Sequence, residues 1–227
     1  IALNNKEAAG IVAEMGWDGT LYEGRCKIED CVSDYIYLVE ANLGVNKANY
    51  FLYRNAEQVV DISSRSISRI VRVNYENTAK NDNWPGGDYK NYLRIYLPDN
   101  INIAEVSITD ENGESGKRVY TREELKINRV GSKTELGFLV LVPVNSKRVV
   151  EIRYSSEVDL TGKEKFSYIH YTQRQPGFGD TGLVTLVSMP EGWQPIQVQP
   201  AASLVGGKLL FNMKLDKDIR MGIELSK

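Results

Sequence analysis

The residues with the clearest catalytic character are Asp180, Thr181 and Gly182, the triplet with which aspartic proteases make two carboxylates share one proton. That chemistry needs an apolar strand leading into each aspartate, and either a second triplet in the chain or a homodimer that supplies one. Here Phe178 and Gly179 precede Asp180, and the sequence contains no second triplet. We therefore predict a turn at this position and not a protease site.

His170 is the single histidine of the chain and the next candidate for acid–base chemistry. It shares strand parity with Phe166 and Tyr168, which indicates a structural or surface histidine. A serine hydrolase would need an activated nucleophile, and the sequence contains no Gly-x-Ser-x-Gly turn to present one. The balance favours a protein that is not an enzyme, and no catalytic residue, metal or cofactor is predicted.

Cys26 and Cys31 are the two cysteines, close together in the sequence. In an oxidising compartment a loop this short can be closed by a disulfide, and the alternative is two unpaired structural thiols. A zinc site would need about two further nitrogen or sulfur ligands, and His170 is far away in the sequence. The sequence therefore disfavours zinc and leaves the other two states open.

Asn42, Asn46 and Lys47 are the first candidate binding residues. They lie in residues 42–53, which one apolar run enters and another leaves, so this stretch is predicted to be the bend of a β-hairpin. Their amide and ammonium groups could contact a phosphate or a sugar. In the structural alternative, the asparagines bond the backbone of the bend and Lys47 stays solvated.

Trp84 is the fourth candidate binding residue. It lies among small polar residues in a connection between two predicted strands, residues 77–90. A loop of this kind on a rigid scaffold often contacts a ligand. The same composition also suits a tryptophan that folds back and plugs the end of the core. Both interpretations stay open from the sequence.

The composition argues against several partners. The 227 residues carry a formal net charge of -2, so no overall field favours nucleic acid or an anionic membrane. No apolar run approaches the roughly 20 residues that span a bilayer, so the chain as given is not expected to insert into a membrane. Because it begins with Ile1, we interpret it as a processed piece of a longer protein.

The elements that must position these residues are one helix and many strands. Residues 4–15 carry apolar side chains on one helical face, with Asn4 and Glu7 as a capping pair. Later in the chain apolar and polar residues alternate, which is typical of strands with one buried face. Residues 136–142 are apolar at nearly every position, and this predicts a central strand buried on both faces.

About nine short strands without crossover helices predict a mainly β protein: an antiparallel, Ig-like β-sandwich preceded by a small α/β segment with one N-terminal helix. Residues 1–65 would form that segment, with the helix, the cysteine loop and the hairpin, as the tail of an upstream domain. Residues 66–227 would form the sandwich.

Five motifs carry a family resemblance: Gly-Trp-Asp-Gly at 16–19, Asp-Tyr-Ile at 34–36, Ala-Asn-Leu-Gly-Val-Asn-Lys-Ala-Asn-Tyr at 41–50, Val-Asn-Tyr-Glu-Asn at 73–77 and Tyr-Lys-Asn-Tyr-Leu-Arg-Ile-Tyr-Leu-Pro at 89–98. Together they resemble the C-terminal part of the bacterial domain-of-unknown-function 4012 family. The similarity is specific from Leu3 to Asp99 and looser towards the end of the chain. The cysteine pair is not part of the family pattern.

The resemblance implies a protein of the bacterial cell envelope. Such proteins are anchored by one N-terminal transmembrane helix, which would lie upstream of this sequence, and their bulk is extracytoplasmic. The resemblance assigns no catalytic residue, because no activity is established for the family.

Two functions are compatible with these expectations. The first is a non-enzymatic extracytoplasmic module that binds an envelope protein or glycan, or that serves as a spacer. The alternative is an accessory part of an enzyme that modifies envelope glycopolymers and whose catalytic region lies upstream. In that alternative, Asn42, Asn46 and Lys47 would contribute polar contacts to a phosphate or sugar.

Overall fold

A computed structural model describes residues 3–15, 18–24, 26, 28–177, 179 and 181–227, without the side chain of residue 114. Within these ranges there is one α-helix, α1 (Lys6–Glu14). It begins after Asn5, whose Oδ1 accepts hydrogen bonds from the N–H groups of Glu7 and Ala8, both at 3.0 Å. The cap is therefore Asn5 and not the predicted Asn4. No residue of α1 is buried, so the helix adds little to the core.

Fifteen strands form in the described part of the chain, with two short 3-10 turns at Ala48–Phe51 and Gly113–Gly116. The strands are β1 (Cys31–Asn42), β2 (Leu52–Ile62), β3 (Ser66–Asn77), β4 (Tyr89–Pro98), β5 (Asn102–Thr109), β6 (Arg118–Val119), β7 (Lys126–Val130), β8 (Lys133–Val142), β9 (Ser146–Glu157), β10 (Lys165–Gln173), β11 (Gly182–Ser188), β12 (Gln194–Gln199), β13 (Ser203–Val205), β14 (Lys208–Lys214) and β15 (Ile219–Ser226).

The strands form two sheets that face each other, and the predicted β-sandwich is confirmed. Sheet A has the order β12-β15-β10-β1-β4-β8-β7, and sheet B has the order β13-β14-β11-β2-β3-β9-β5-β6. Neighbouring strands are antiparallel with two exceptions. β1 runs parallel to β10, and β2 runs parallel to β11. Each sheet therefore contains one parallel seam at its centre.

Alternation of side chains explains why these segments form strands. In β3, Val71, Val73 and Tyr75 are buried between the sheets, and the residues between them are partly exposed. Two hydrophobic clusters fill the interior. One lies on the β3, β4, β8 and β9 side of the seams, and the other packs β10, β11, β14 and β15 against the hairpin end of β2 and β3.

The predicted hairpin at residues 42–53 is wrong. β1 belongs to sheet A and β2 to sheet B, so this stretch carries the chain from one sheet to the other. The hairpin of this region joins β2 to β3 instead, where Ile62 pairs with Ile67. Asn and Gly allow a tight bend, but they do not determine whether the next strand pairs with the previous one.

The division after residue 65 also needs correction. It falls in the turn of the β2–β3 hairpin, and β1 and β2 are central strands of the two sheets. Because β1 pairs with β4 and β10, and β2 with β3 and β11, residues 31–62 are part of the sandwich and not of a separate unit.

The outer face of sheet A is partly covered by the segment before β1. Nε2 of Gln173 donates to the carbonyl oxygen of Thr20 at 2.9 Å. The ring of Tyr22 stacks on that of Tyr171 with 3.9 Å between centroids. This segment therefore follows β10 on the outside of the sandwich. No helix among the described residues has the length and apolar character needed to cross a bilayer.

Candidate binding surface

Two connections meet at one end of the sandwich. We call residues 43–51, between β1 and β2, the arch, and residues 78–88, between β3 and β4, the Trp84 loop. The backbone N–H of Lys47 donates to the carbonyl oxygen of Pro85 at 2.9 Å, so the two connections are in contact. Together they form what we call the arch surface. It contains Asn46, Lys47 and Trp84, and Asn42, the last residue of β1, borders it, so the four residues predicted to bind lie close together.

Asn42 and Asn46 give the arch its shape. Oδ1 of Asn42 accepts the N–H of Gly44 at 2.9 Å, and Nδ2 of Asn42 donates to Oδ1 of Asn46 at 3.1 Å. Oδ1 of Asn46 also accepts the N–H of Ala48 at 3.2 Å. Both amides therefore bond groups of the arch itself, which is the structural alternative for these residues.

Asn46 also joins the arch to the Trp84 loop. Its Nδ2 donates to the carbonyl oxygen of Asp88 at 3.0 Å. The same Nδ2 atom lies close to Gly87, so that a Cβ added to Gly87 would be 2.6 Å from it. Gly87 also has a φ of +122°. Both the close approach and the backbone angle require glycine at this position. The arch and the loop are thus fixed relative to each other.

Trp84 is 74% exposed at the tip of its loop, so the plug hypothesis is wrong. Ala79, Gly86 and Gly87 are buried at the base of the loop and already close this end of the core. Nδ2 of Asn77 supports the base by donating to the carbonyl oxygen of Gly87 at 3.0 Å. The side chain of Trp84 is therefore available for contact with another molecule.

The arch surface exposes further apolar and aromatic side chains. Val45 is fully exposed and Tyr50 is 84% exposed. The ring of Tyr50 packs edge-on against Phe51 at 5.4 Å between centroids. The large exposed side chains on this surface are Leu43, Val45, Tyr50 and Trp84, and the exposed Tyr53 follows at the start of β2. A concentration of this kind is typical of a site that binds another molecule.

The charges on the arch surface are of both signs. Lys47 and Lys80 are exposed, and so is Asp82. Because no single sign dominates, contact with aromatic and apolar side chains is the more specific property of this surface.

A buried ion pair lies beneath the arch. Glu40, on β1, is hydrogen-bonded through Oε1 to Nη1 of Arg54, on β2. The hydroxyls of Tyr75 and Tyr89 donate to the two carboxylate oxygens at 3.2 Å and 2.7 Å. Burial, followed by the charge of Glu40, raises the pKa of Tyr75 far above its usual value, so its hydroxyl remains a donor. The pair ties the strand that enters the arch to the strand that leaves it.

A second buried ion pair lies farther along β1. Nε of Arg69, on β3, donates to Oδ2 of Asp34 at 2.7 Å, and the Tyr168 hydroxyl donates to the same oxygen at 2.5 Å. Burial opposes ionisation of Asp34, but the positive charge of Arg69 outweighs it and holds the pKa of that carboxyl well below its usual value. Arg69 also lies 5.6 Å from the ring centroid of Tyr154.

The described residues do not assemble a catalytic set around His170. The ring is buried, its Nε2 lies 3.0 Å from Oγ1 of Thr172, and its Nδ1 lies 3.9 Å from Oδ2 of Asp34, beyond hydrogen-bonding distance. Thr181 is buried and accepts a bond from Arg54 at 2.9 Å. Phe178 and Asp180 lie outside the described residues. Within the described ranges, no group of three or more His, Cys, Asp or Glu could hold a metal ion.

A disulfide joins Cys26 to Cys31, with 5.9 Å between the Cα atoms. The N–H of Cys26 donates to Oγ of Ser33 at 2.7 Å, so the closed loop is held against the first residues of β1. The sulfur atoms are therefore bonded to each other and do not form a zinc site.

Sequence reasoning missed both buried ion pairs. The sequence analysis assigns no role to the charges of Asp34 and Glu40, although both share inward parity with Ile36 and Leu38. Arg69 likewise shares the inward parity of Val71 in β3. A charged residue in the buried register of a strand is the pattern that could have revealed these pairs.

Comparisons with known proteins add a distant structural likeness. No protein-family model matches this chain, and no curated protein matches it. Among solved structures, the chain is similar to that of a protein from Legionella pneumophila described as a putative nutrient binding protein, with a TM-score of 0.44 and 9% sequence identity. The match covers 84% of this chain and 70% of the other. A likeness this distant carries no functional conclusion.

Proposed function

We propose that this chain is a non-enzymatic binding module that contacts another component of the bacterial cell envelope through the arch surface. The observation that carries the proposal is the exposure of Trp84 and Tyr50 on two connections that are hydrogen-bonded to each other. A surface whose backbone is already ordered loses little conformational entropy on binding, which favours affinity. The envelope location rests on the sequence resemblance alone.

A glycan is the component that this surface suits best. Exposed aromatic rings can stack on the apolar faces of sugar rings, and polar groups can bond the hydroxyls. The arch surface provides both, because the exposed side chains of Asn49 and Lys47 lie on the same arch as Tyr50. An extracytoplasmic position and attachment through an upstream transmembrane helix would place the surface next to the cell-wall polymers.

The test is calorimetric titration of the protein with soluble cell-wall glycan fragments. Calorimetry is needed because Trp84→Ala removes a fluorophore together with the contact. We expect Trp84→Ala to weaken binding about tenfold or more, as truncation of an aromatic hot spot does, and to change the free energy of unfolding by less than about 0.5 kcal/mol.

The matched control is Leu204→Ala, which shortens an exposed apolar side chain on β13, at the far edge of sheet B. It should leave glycan binding unchanged. Equal binding by the wild-type protein and Trp84→Ala would remove Trp84 from the site. Absence of binding to any fragment would favour a spacer or a protein-binding role.

A further inference from the structure

The second open site of the sandwich is the edge of β8. β7 pairs with β8 only from Lys133 to Gly137. β8 continues to Val142 and remains paired with β4 along its whole length. Residues 138–142 therefore have a strand partner on one side only, among the residues that the structure describes.

The direction of the free backbone groups follows from the pairing. The N–H of Leu43 donates to the carbonyl oxygen of Lys90 at 2.6 Å, so the backbone groups of Lys90 face β1. Those of Asn91 then face β8, where Asn91 pairs with Val140. Because neighbouring residues alternate, the backbone groups of Leu139 and Leu141 face the open edge.

Tyr120 confirms this direction. Its hydroxyl donates to the carbonyl oxygen of Leu139 at 2.7 Å from the open side. The ring of Tyr120 packs on Phe138 with 4.9 Å between centroids. Tyr120 thus caps one carbonyl group, beside which the edge continues through the backbone of Leu141.

A groove of about 740 Å³ runs along this edge, and we call it the β8 groove. Its apolar lining includes Ile108 and Tyr120, and the exposed side chains of Leu139 (61%) and Leu141 (47%) stand at its rim. The prediction that 136–142 is buried on both faces is therefore wrong, because the outer face of β8 is open here. An exposed edge with apolar side chains is the feature that proteins otherwise protect from strand addition.

The charged side chains at the β8 groove are mainly positive. Lys90, Arg118 and Arg148 line it, with one carboxylate, Glu124. Glu124 is already paired with Arg118, which also lies 4.6 Å from the ring centroid of Tyr120. An occupant with negative charge would therefore be attracted to this edge.

We propose that the β8 groove binds an extended acidic peptide segment that adds a strand to the open edge of β8. Its backbone would bond Leu141, its apolar side chains would contact the groove, and its carboxylates would face Lys90 and Arg148. This is strand addition, in which main-chain bonds provide affinity and alternate side chains provide specificity. A second copy of the chain fits less well, because pairing of two β8 edges would bring the same cations together.

The proposal is tested with an acetylated, amidated heptapeptide of alternating aspartate and valine at millimolar concentration. The measurement is the shift of backbone amide NMR resonances, with the affinity taken from the titration. We expect the largest shifts at residues 139–142. Leu141→Pro removes the N–H at the open edge and should weaken binding roughly tenfold, because the peptide carbonyl loses its donor. Proline is tolerated on an edge strand, so this variant should fold.

Leu141→Ala is the matched control, since it shortens the side chain and keeps the N–H; it should lose less affinity than Leu141→Pro. The same peptide with alternate amides N-methylated should not bind. Lys90→Glu combined with Arg148→Glu should reverse the preference, so that a lysine–valine peptide binds better than the aspartate one. Leu43 of the arch also lines this groove but Trp84 does not, so Trp84→Ala should have no effect, which separates this site from the Trp84 loop.

Three outcomes would overturn the proposal. One is the absence of shifts at 139–142. Another is equal peptide binding by the wild-type protein and by Leu141→Pro. Binding of octanoate that is likewise unaffected by Leu141→Pro would also count, because it would indicate a small-molecule site. The third is concentration-dependent dimerisation through the same residues, which would make a second copy the occupant.

Discussion

Asp34 and Glu40 lie on the same strand, face the same interior and are both paired with an arginine of the opposite sheet, yet their surroundings differ. Asp34 accepts hydrogen bonds from Arg69 and Tyr168. These residues connect the two hydrophobic clusters, because Tyr168 belongs to one and Tyr154, next to Arg69, belongs to the other. Glu40 accepts hydrogen bonds from Arg54 and from two tyrosines of the first hydrophobic cluster, directly below the arch. The same kind of buried ion pair therefore joins the two hydrophobic clusters at Asp34 and supports the arch surface at Glu40.

This comparison suggests a division of roles. A buried pair is costly to form, because both charges leave water, and it contributes little net stability compared with apolar packing. We infer that such a pair instead fixes which strands face each other. At Asp34 the fixed relation is between β1, β3 and β10, whereas at Glu40 it is between the two strands that carry the arch.

The largest effect is expected from Arg69→Ala. It leaves the Asp34 carboxylate buried without its cation, and we expect the free energy of unfolding to fall by about 3–5 kcal/mol. Urea denaturation measures it. Arg69→Lys keeps the charge but not the bonds to the carbonyl oxygen of Ile67 and to Ser156, so its loss of unfolding free energy should be intermediate. A loss below about 1 kcal/mol for Arg69→Ala would contradict the importance assigned to this pair.

Arg54→Ala should destabilise by about 3 kcal/mol and, unlike Arg69→Ala, should also weaken ligand binding at the arch surface. The reason is that Arg54 joins the two strands flanking the arch. The matched control is Arg72→Ala, which breaks a partly exposed pair with Glu151 and should cost no more than about 1 kcal/mol. If Arg54→Ala and Arg69→Ala affect glycan binding equally, the two pairs do not have different roles.

The disulfide constrains the Asp34 end of β1, so its removal should affect that end of the strand and not the arch. Replacing Cys26 and Cys31 together by serine should lower the free energy of unfolding by about 2 kcal/mol, the value for a short loop in the chain-entropy treatment. Thiol titration of the unreduced, denatured wild-type protein should find no free thiol at these two positions. Two titratable thiols would show that the bond is absent.

The smallest expected effect is a pH dependence specific to Asp34. Its pKa is lower in the folded protein than the ordinary aspartate value of about 3.8, so its contribution to stability is complete above that value and is lost as pH falls below it. Between pH 5 and pH 3 the wild-type protein should lose about 1 kcal/mol more than Asp34→Asn, because the variant lacks the titrating group. Parallel losses in the two proteins would mean that the pKa is not lowered by folding.

The sequence contained enough to predict the sandwich, because alternation in β3, β4 and β9 directly reflects which side chains are buried. It did not contain the pairing of β1 with β10, since strands so distant in the chain share no local turn that would reveal it. The arch was predicted as a hairpin for the same reason, because Asn42 and Gly44 permit either connection.

The candidate site was predicted in part. Four residues predicted from two separate stretches of the sequence are close together in space: Asn42, Asn46, Lys47 and Trp84. The exposure of Val45 and Tyr50 was not predictable, because apolar residues next to a strand are usually buried. The open edge of β8 depends on where β7 stops pairing, which is a tertiary property.

The parallel seams have a consequence for how the molecule forms. Cys31 pairs with Ser167, and Asn55 with Gly182, so the first two strands obtain their central neighbours only when the last third of the chain is available. Contacts so distant in sequence impose a large loop-closure entropy before they stabilise anything, and proteins dominated by them fold in roughly milliseconds to seconds. During synthesis, β1 and β2 would therefore each have one long edge unpaired until β10 and β11 have been made. A chaperone that covers strand edges would shield them over that interval.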